Sequence, residues 1–191
     1  MDTYHAILYV HLLALVLGTS AGGVVGVCLF KLRAAQTVES AAPWGMLAGQ
    51  MERVFPVAIL ALFGSGAYMT SDVWTWGTGW IDVAIAGLVL LAVQGGGLAA
   101  KRGHMVGEAL RSNGPGALGP AARKMTRDRL LWAASFCNEG VVLGIIWDMT
   151  VKPGTASAVA AVVVGWAAGA AFAWTFTRAP ALEAEAAAEP A

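Results

Sequence analysis

Four polar side chains that could carry chemistry lie inside long apolar runs of this sequence. His11 falls within the first run, Gln94 within a later one, and Asn138 and Glu139 stand side by side within another. A polar group in apolar surroundings is costly unless it finds a partner, and such groups often mark ligand or proton pathways. A lone carboxylate such as Glu139 is expected to be protonated or paired there. The four residues are therefore predicted to form a polar site inside the fold.

Several roles are open to the two ionisable members of this set. His11 lies seven residues before Gly18, close to two helical turns, so it should share the face of that glycine and point into the protein. It could ligate haem or a metal, relay protons, or form a hydrogen bond between helices. Glu139 could carry protons, bind a cationic or polar ligand, or form a structural hydrogen bond. Cys28 and Cys137 are predicted to be packing residues, and no metal site is predicted.

A second polar group, Asp82, Asp148 and Lys152, lies near the ends of apolar runs. Lys152 follows Asp148 by about one helical turn. The spacing favours an ion pair among these side chains at the surface of the fold. A place at the mouth of a cavity is the alternative.

The elements that position these residues follow from the composition. Of the 191 residues, 58% are hydrophobic and 13% are charged, whereas soluble domains carry about a quarter charged residues. A bilayer core is crossed by about 20 apolar residues in a helix, and five segments qualify. They are about 6–30, 54–70, 80–100, 130–149 and 156–176. We therefore expect an all-α integral membrane bundle with five transmembrane helices, forming one domain over residues 1–178.

The basic residues predict the orientation of this bundle. Of the 12 Lys and Arg residues, all except Lys152 fall between segments one and two, between segments three and four, or after segment five. The positive-inside rule places these connections and the C-terminus in the cytoplasm, and the N-terminus outside. Residues 179–191 contain only Ala, Leu, Glu and Pro and are predicted to be a disordered cytoplasmic tail. The net charge is zero, so no nucleic-acid partner is predicted.

Glycines at helical spacing predict close approach of helices. Gly18, Gly22 and Gly26 recur every fourth residue in the first segment, and Gly165 and Gly169 do so in the fifth. Small residues at this spacing let two membrane helices pack closely. Packing within one bundle is the favoured interpretation, and a dimer interface is the alternative.

The order of short motifs along the chain resembles a known family. His11 is followed by Met51-Glu52-Arg53, Gly79-Trp80, Asn138-Glu139 and Lys152-Pro153. This order is similar to the HemJ-type protoporphyrinogen oxidases and the related CopD-like membrane proteins over about His5–Pro153. The resemblance implies a four-helix core with an added fifth helix in the bacterial inner membrane, and haem b bound at His11.

The chain departs from this family pattern in the third segment. Asp82 and Ala84 stand where the HemJ-type proteins have a His and a Lys. The resemblance therefore implies the fold rather than the oxidase reaction, and no enzyme activity is predicted.

Three functions follow from these observations. The first is a bundle that binds or moves a small ligand, a proton or a metal through its polar site. The second is an accessory subunit of a larger membrane complex or a homo-oligomer, suggested by the glycine faces and the fifth helix. The third is a haem-binding protein similar to protoporphyrinogen oxidase. The third function is the least favoured, because Asp82 and Ala84 depart from the family pattern.

Overall fold

Helices make up nearly all of the described chain. The computed structural model describes residues 3–178, and the predicted tail lies outside this range. The helices are α1 (Thr3–Ala34), α2 (Val38–Glu52), α3 (Val54–Val73), α4 (Gly79–Leu91), a π-helical segment (Ala92–Ala99), α5 (Ala100–Asn113), α6 (Pro120–Thr126), α7 (Arg129–Val151) and α8 (Thr155–Arg178). The predicted all-α class is confirmed for these residues.

Five stretches of helix are long and apolar enough to cross a membrane, as predicted. They are Thr3–Ala34, Val38–Val73, Gly79–Asn113, Pro120–Val151 and Thr155–Arg178. A stretch of 35 residues is about 50 Å long at 1.5 Å per residue, whereas a bilayer core is about 30 Å thick. The first four stretches are therefore longer than a membrane crossing requires, and the excess of each lies at the same end of the bundle.

That end, which we call the basic end, contains α2, α5, α6 and the adjoining ends of α1, α7 and α8. It holds every basic residue of the described chain except Lys152. A hydrophobic core joins these helices, formed by Leu29, Leu32, Ala35, Ala41, Val106, Leu110, Leu118, Ala122, Leu131, Trp132 and Ala173. The two basic connections predicted at 31–53 and 101–129 are largely helical, which corrects the prediction that they are loops.

Side-chain caps fix where two helices of the basic end begin. Thr37 accepts a hydrogen bond from the Ser40 backbone N–H at 3.3 Å and so caps α2. Asp128 accepts one from the Leu130 N–H at 3.0 Å and caps α7, while its other oxygen pairs with Arg102 at 3.2 Å. Each of these bonds satisfies a backbone N–H group that has no acceptor within the first turn of its helix.

The opposite end, which we call the tryptophan end, carries Trp74, Trp76 and Trp80. It is formed by the N-termini of α1, α4 and α8 and the C-termini of α3 and α7. Trp74 and Trp80 meet edge to face, with ring centroids 5.3 Å apart. The two ends therefore differ in charge, since the basic residues of the described chain other than Lys152 lie at the basic end.

Helices α7 and α8 make the most extensive helix–helix contact of the described chain. A β carbon at Gly140 would overlap the Gly165 carbonyl, and one at Gly169 would overlap the Phe136 carbonyl. A β carbon at Gly144 would crowd the backbone of α8. The last helix is therefore held on its neighbour by backbone contact that only glycine allows.

The glycines of α1 also face other helices of the same chain. Gly18 lies against Ala58 of α3, and Gly22 against Glu139 of α7. Gly26 lies against the Phe136 ring, also of α7. The structure thus uses both predicted glycine series for packing within one bundle.

Candidate functional site

His11 is buried between α1 and α3, where it contacts Ser65. Its ring is 5% exposed, and Nδ1 lies 2.9 Å from the Ser65 hydroxyl oxygen. Ser65 sits between Gly64 and Gly66 of α3, and the missing side chain at Gly66 makes room for the imidazole. The apolar helix α3 thus supplies a hydroxyl group at the depth of His11.

The hydrogen bonds of Ser65 determine the tautomer of His11. The serine hydroxyl donates to the Ala61 carbonyl oxygen at 2.5 Å, which uses its single hydrogen. Nδ1 of His11 must then carry the hydrogen that is donated to Ser65, and Nε2 is left with a lone pair. The Leu62 backbone carbonyl is a further hydrogen-bond partner of the ring. The hydrogen bond to Ser65 uses Nδ1, so the lone pair of Nε2 can accept a hydrogen bond, take up a proton or ligate a metal.

His11 lines a cavity of about 330 Å³ that opens toward the tryptophan end. The walls come from α1, α3, α4 and α7 and are mostly apolar. They include Leu8, Leu12, Leu15, Leu62, Phe63, Met69, Ile81, Ala84, Ile85, Leu88, Ile146 and Met149. A cavity of this size with these walls suits a small molecule. The apolar side chains would hold the body of the molecule, and a few polar groups would orient it.

Lys152, Trp74 and Trp80 form the mouth of this cavity. The Lys152 ammonium lies 4.7 Å from the centre of the Trp74 ring, in cation–π contact. Lys152 also ends α7 in a left-handed conformation, with φ 53° and ψ 54°. Its side chain is thereby turned back from the helix axis over the indole. The cavity thus offers a hydrogen-bond acceptor inside and a cation at its entrance.

The predicted ion pair of Asp82, Asp148 and Lys152 is not formed in the described chain. Asp82 is exposed, Asp148 is 0% exposed with no partner for either oxygen, and Lys152 contacts Trp74 instead. The spacing of one turn does not suffice, because Lys152 leaves the helix just where the pair would form. Of the three residues, Lys152 has the alternative role at the mouth of a cavity.

The predicted polar site also divides into two. Glu139 lies against Gly22 of α1, which is 11 residues and about 16 Å along the helix from His11. No hydrogen bond or ion pair of Glu139 forms within residues 3–178. The structure therefore does not bring His11 and Glu139 together.

Asn138 and Gln94 lie near Glu139 rather than near His11. A β carbon at Gly95 would be 3.2 Å from the Asn138 amide nitrogen, so that Asn138 faces the π-helical segment. Gln94 precedes this glycine. The side-chain oxygens of both amides are buried without a hydrogen-bond donor. Asn138 thus faces the π-helical segment and Glu139 faces α1, and no hydrogen bond joins Gln94, Asn138 and Glu139 within the described residues.

Three residues of the site were not predicted from the sequence. Trp74 and Trp80 line the cavity, and Ser65 holds His11. Ser65 carries a local signal, because a hydroxyl between two glycines in an apolar run is a place where another helix can approach. Trp74 and Trp80 are half-buried indoles at the tryptophan end. Nothing in their spacing predicts the contact between Trp74 and Lys152.

Within residues 3–178 there is no group of three or more His, Cys, Asp or Glu side chains that could hold a metal ion. The haem that the family resemblance implies needs an axial ligand, and Nε2 of His11 fits that role. Met69 and Met149, whose sulfurs can also ligate haem iron, line the same cavity.

No protein-family model, curated protein or solved structure matches this chain. The resemblance to the HemJ-type and CopD-like proteins therefore stays a prediction from the motif order. One departure from that family has a structural counterpart. Ala84, which stands where the family has a Lys, is 3% exposed and forms part of the cavity wall. The cation at this cavity is Lys152 instead.

Proposed function

We propose that this chain is a multi-pass membrane protein that binds a small lipophilic molecule in the cavity beneath Trp74 and Lys152. The observation that carries the proposal is His11, whose Nδ1 is held by Ser65 at 2.9 Å while the ring lines a 330 Å³ apolar cavity. A buried histidine held in one tautomer is oriented for a partner. Apolar walls supply the affinity for the body of such a ligand.

The proposed orientation places the basic end in the cytoplasm of a bacterial cell. Eleven of the twelve basic residues favour this under the positive-inside rule, Lys152 being the exception. Indoles concentrate at membrane interfaces, which suits Trp74, Trp76 and Trp80 at the other face. The cavity then opens in the outer half of the bilayer, where a molecule dissolved in lipid can enter it.

The polar groups limit the chemistry of the ligand. Lys152 favours a carboxylate or another anionic head group at the mouth, since its ammonium is a compact point charge with three donors. Nε2 of His11 favours a hydroxyl or another hydrogen-bond donor deeper inside. We therefore expect an amphipathic molecule with an apolar body.

Quenching of indole fluorescence tests this proposal. A bromine-labelled medium-chain carboxylate and the matching alcohol are titrated into the purified full chain, because bromine in the cavity would lie beside Trp74 and Trp80. We expect saturable quenching by both probes. Lys152→Gln should weaken the carboxylate about tenfold, which corresponds to about 1.4 kcal/mol, and leave the alcohol little changed. His11→Leu should weaken the alcohol about fivefold, the value of one hydrogen bond.

The control for this experiment is His104→Leu, which replaces an exposed histidine at the basic end. It should leave both titrations unchanged. Quenching that rises linearly without saturation would show partition into micelles rather than binding. Equal affinities in the His11, Lys152 and His104 variants would show that the probes do not bind in the cavity.

Haem binding is the second candidate, favoured by Nε2 of His11 beside Met69 and Met149. Haem would supply redox chemistry at the cavity, and His11 would hold its iron. The visible absorption spectrum of protein purified from haem-sufficient cells tests this. A Soret band that disappears in His11→Ala supports haem, and a colourless preparation rejects it.

A further inference from the structure

Five aromatic side chains form a continuous wall at the basic end, where α1, α7 and α8 meet. They are Phe30, Trp132, Phe136, Phe172 and Phe176, and we call them the aromatic wall. Neighbouring ring centroids lie 4.6 to 5.4 Å apart along the series Phe30–Phe176–Phe172–Phe136–Trp132. The exposed fractions of Phe30, Phe172 and Phe176 are 38, 39 and 43%. Trp132 belongs to the buried core behind the wall, and the three phenylalanines Phe30, Phe172 and Phe176 present the apolar surface to a partner outside the bundle.

Arg33 lies directly beside this wall. Its guanidinium carbon is 5.7 Å from the centre of the Trp132 ring, and Nη2 donates to the Thr177 carbonyl oxygen at 3.2 Å. Only this one of its five N–H donors is used within the described chain. The charged side chains that act on Arg33 are Arg127 and Arg129, and both are cations.

No carboxylate of the described chain balances these three arginines. Asp128 stands between two of them in sequence, but its oxygens are bound to Arg102 and to the Leu130 N–H. Nε of Arg127 is buried and has no hydrogen-bond acceptor. Arg33 and Arg127 are half-buried and Arg129 is exposed, and an anion that joins the three would offset the repulsion between them.

Arg127 also connects this cluster to a neighbouring groove. The groove has a volume of about 590 Å³ and is lined by Arg123, Lys124 and Arg127 together with Leu118 and Pro120. Its polar lining is entirely cationic. The basic end thus presents a run of positive charge whose inner edge borders the aromatic wall.

We infer that this surface binds an anionic phospholipid of the surrounding leaflet, with the phosphate at Arg33, Arg127 and Arg129 and the acyl chains along the aromatic wall. Guanidinium groups bind phosphate oxygens with paired, charge-assisted hydrogen bonds. Basic pockets between helices at the cytoplasmic side of a membrane are sites for anionic head groups. A soluble phosphate would use the arginines but would leave the adjacent aromatic wall without an occupant. The inference rests on the proposed membrane insertion and not on the cavity at His11.

Native mass spectrometry of the purified full chain tests the inference. The protein is incubated with phosphatidylglycerol or with phosphatidylcholine of the same acyl chains. We expect retained phosphatidylglycerol and at least about tenfold less phosphatidylcholine, because phosphatidylcholine has the same phosphate but also a quaternary ammonium, which cancels its net charge and would be repelled by the arginines. Arg127→Gln should lower phosphatidylglycerol affinity by about the same factor.

The matched control is Arg111→Gln, which removes an exposed cation of α5 that has no contact with the cluster. It should retain the lipid as the native chain does. Equal loss in the Arg111 and Arg127 variants would overturn the inference, because it would reduce the effect to net charge. Equal retention of the two lipids would overturn it as well.

Two further measurements separate the sources of phosphate and guard against misfolding. Phe176→Gln changes an exposed side chain of the wall and should weaken the lipid while leaving all arginines in place. Inorganic phosphate at millimolar concentration should not displace the lipid. If it does, and if glycerophosphate without acyl chains binds equally well, the site is one for soluble phosphate and the lipid assignment is wrong. Fluorescence quenching at the tryptophan end should be unaffected by all of these variants, so that failure here is distinct from failure of the proposed ligand cavity.

Discussion

Lys152 adopts a backbone conformation that is unfavourable for a residue with a side chain. It is the one non-glycine residue of the described chain with a positive φ. Crowding between the β carbon and the backbone costs about 1–2 kcal/mol in this conformation. Glycine would avoid that cost and is the common residue at such helix ends. The chain has a lysine there, and its ammonium reaches Trp74 at the cavity mouth.

This strain can be separated from the charge by comparing two variants. Lys152→Gly and Lys152→Ala both remove the ammonium, but only the glycine relieves the backbone. We expect the glycine variant to have a free energy of unfolding about 1 kcal/mol higher than the alanine variant. Reversible unfolding in mixed micelles measures the difference. If alanine is equally stable, the left-handed conformation carries no strain in this setting.

The same two variants also test the function at this residue. Both should bind the bromine-labelled carboxylate about tenfold more weakly than the native chain, despite their difference in stability. A weaker affinity in only one of them would attribute the effect to the backbone rather than to the charge.

Single residues also show which parts of the candidate site the sequence could predict. His11 stands out because it interrupts an apolar run, and the structure places it at a cavity. Its separation from Glu139 could not be predicted, because the depth and facing of one helix against another depend on packing. The position of Glu139 depends on Gly22, because a glycine there leaves space for the carboxylate against α1. Ser65 depends in the same way on how α3 is turned toward α1.

At the scale of elements, the contact between α7 and α8 is the closest of the bundle. Without a hydrophobic driving force between helices in lipid, such pairs depend on van der Waals packing of small residues. Gly140, Gly144, Gly165 and Gly169 provide this contact over about two turns of α7 and α8. The last helix is therefore an integral part of the packing in the described chain.

Replacing one of these glycines tests that dependence. Gly165→Ala should lower the free energy of unfolding by about 1–3 kcal/mol, because the added methyl would overlap the Gly140 carbonyl and force the helices apart. The control is Gly23→Ala, since a β carbon at Gly23 meets nothing within 4 Å. The control should be neutral or stabilising by up to about 1 kcal/mol, the helix propensity gained. Equal effects in mixed-micelle unfolding would mean that propensity rather than packing decides stability here.

The π-helical segment is an element that the sequence analysis did not predict. The apolar run 80–100 indicated one continuous helix, and the structure widens it at Ala92–Ala99. This stretch contains Gly95, Gly96 and Gly97, which hold a regular α-helix weakly. The Asn138 amide lies close to Gly95. Hydropathy reports the length of a run but not the local winding, so this change of helix type was not accessible from composition.

At the scale of the whole molecule, hydropathy predicted the five long helices and missed the layer beside them. Helices α2, α5 and α6 are amphipathic or short, so a window tuned to membrane segments passes over them. Helix α5 buries Val106 and Leu110 and exposes its charged residues. Its apolar face is narrow because it packs at one side only, against α2 and the core of the basic end. Pattern analysis at helical spacing, rather than summed hydropathy, would find such helices.

The arrangement of this layer at one end makes the orientation of the molecule testable. Ser112 lies exposed at the end of α5, and Gly154 lies exposed in the turn between α7 and α8 at the opposite end. We expect a membrane-impermeant maleimide to label Gly154→Cys on intact cells and Ser112→Cys only after the membrane is permeabilised. The native Cys28 and Cys137 are 0% and 2% exposed, so the unmodified chain should stay unlabelled and serves as the control. The reverse pattern would invert the proposed orientation and place the arginine cluster outside the cell. Labelling of both variants on intact cells would show that α7 does not cross the membrane, because it is the one helix between the two positions that is long enough to do so, α6 having only seven residues.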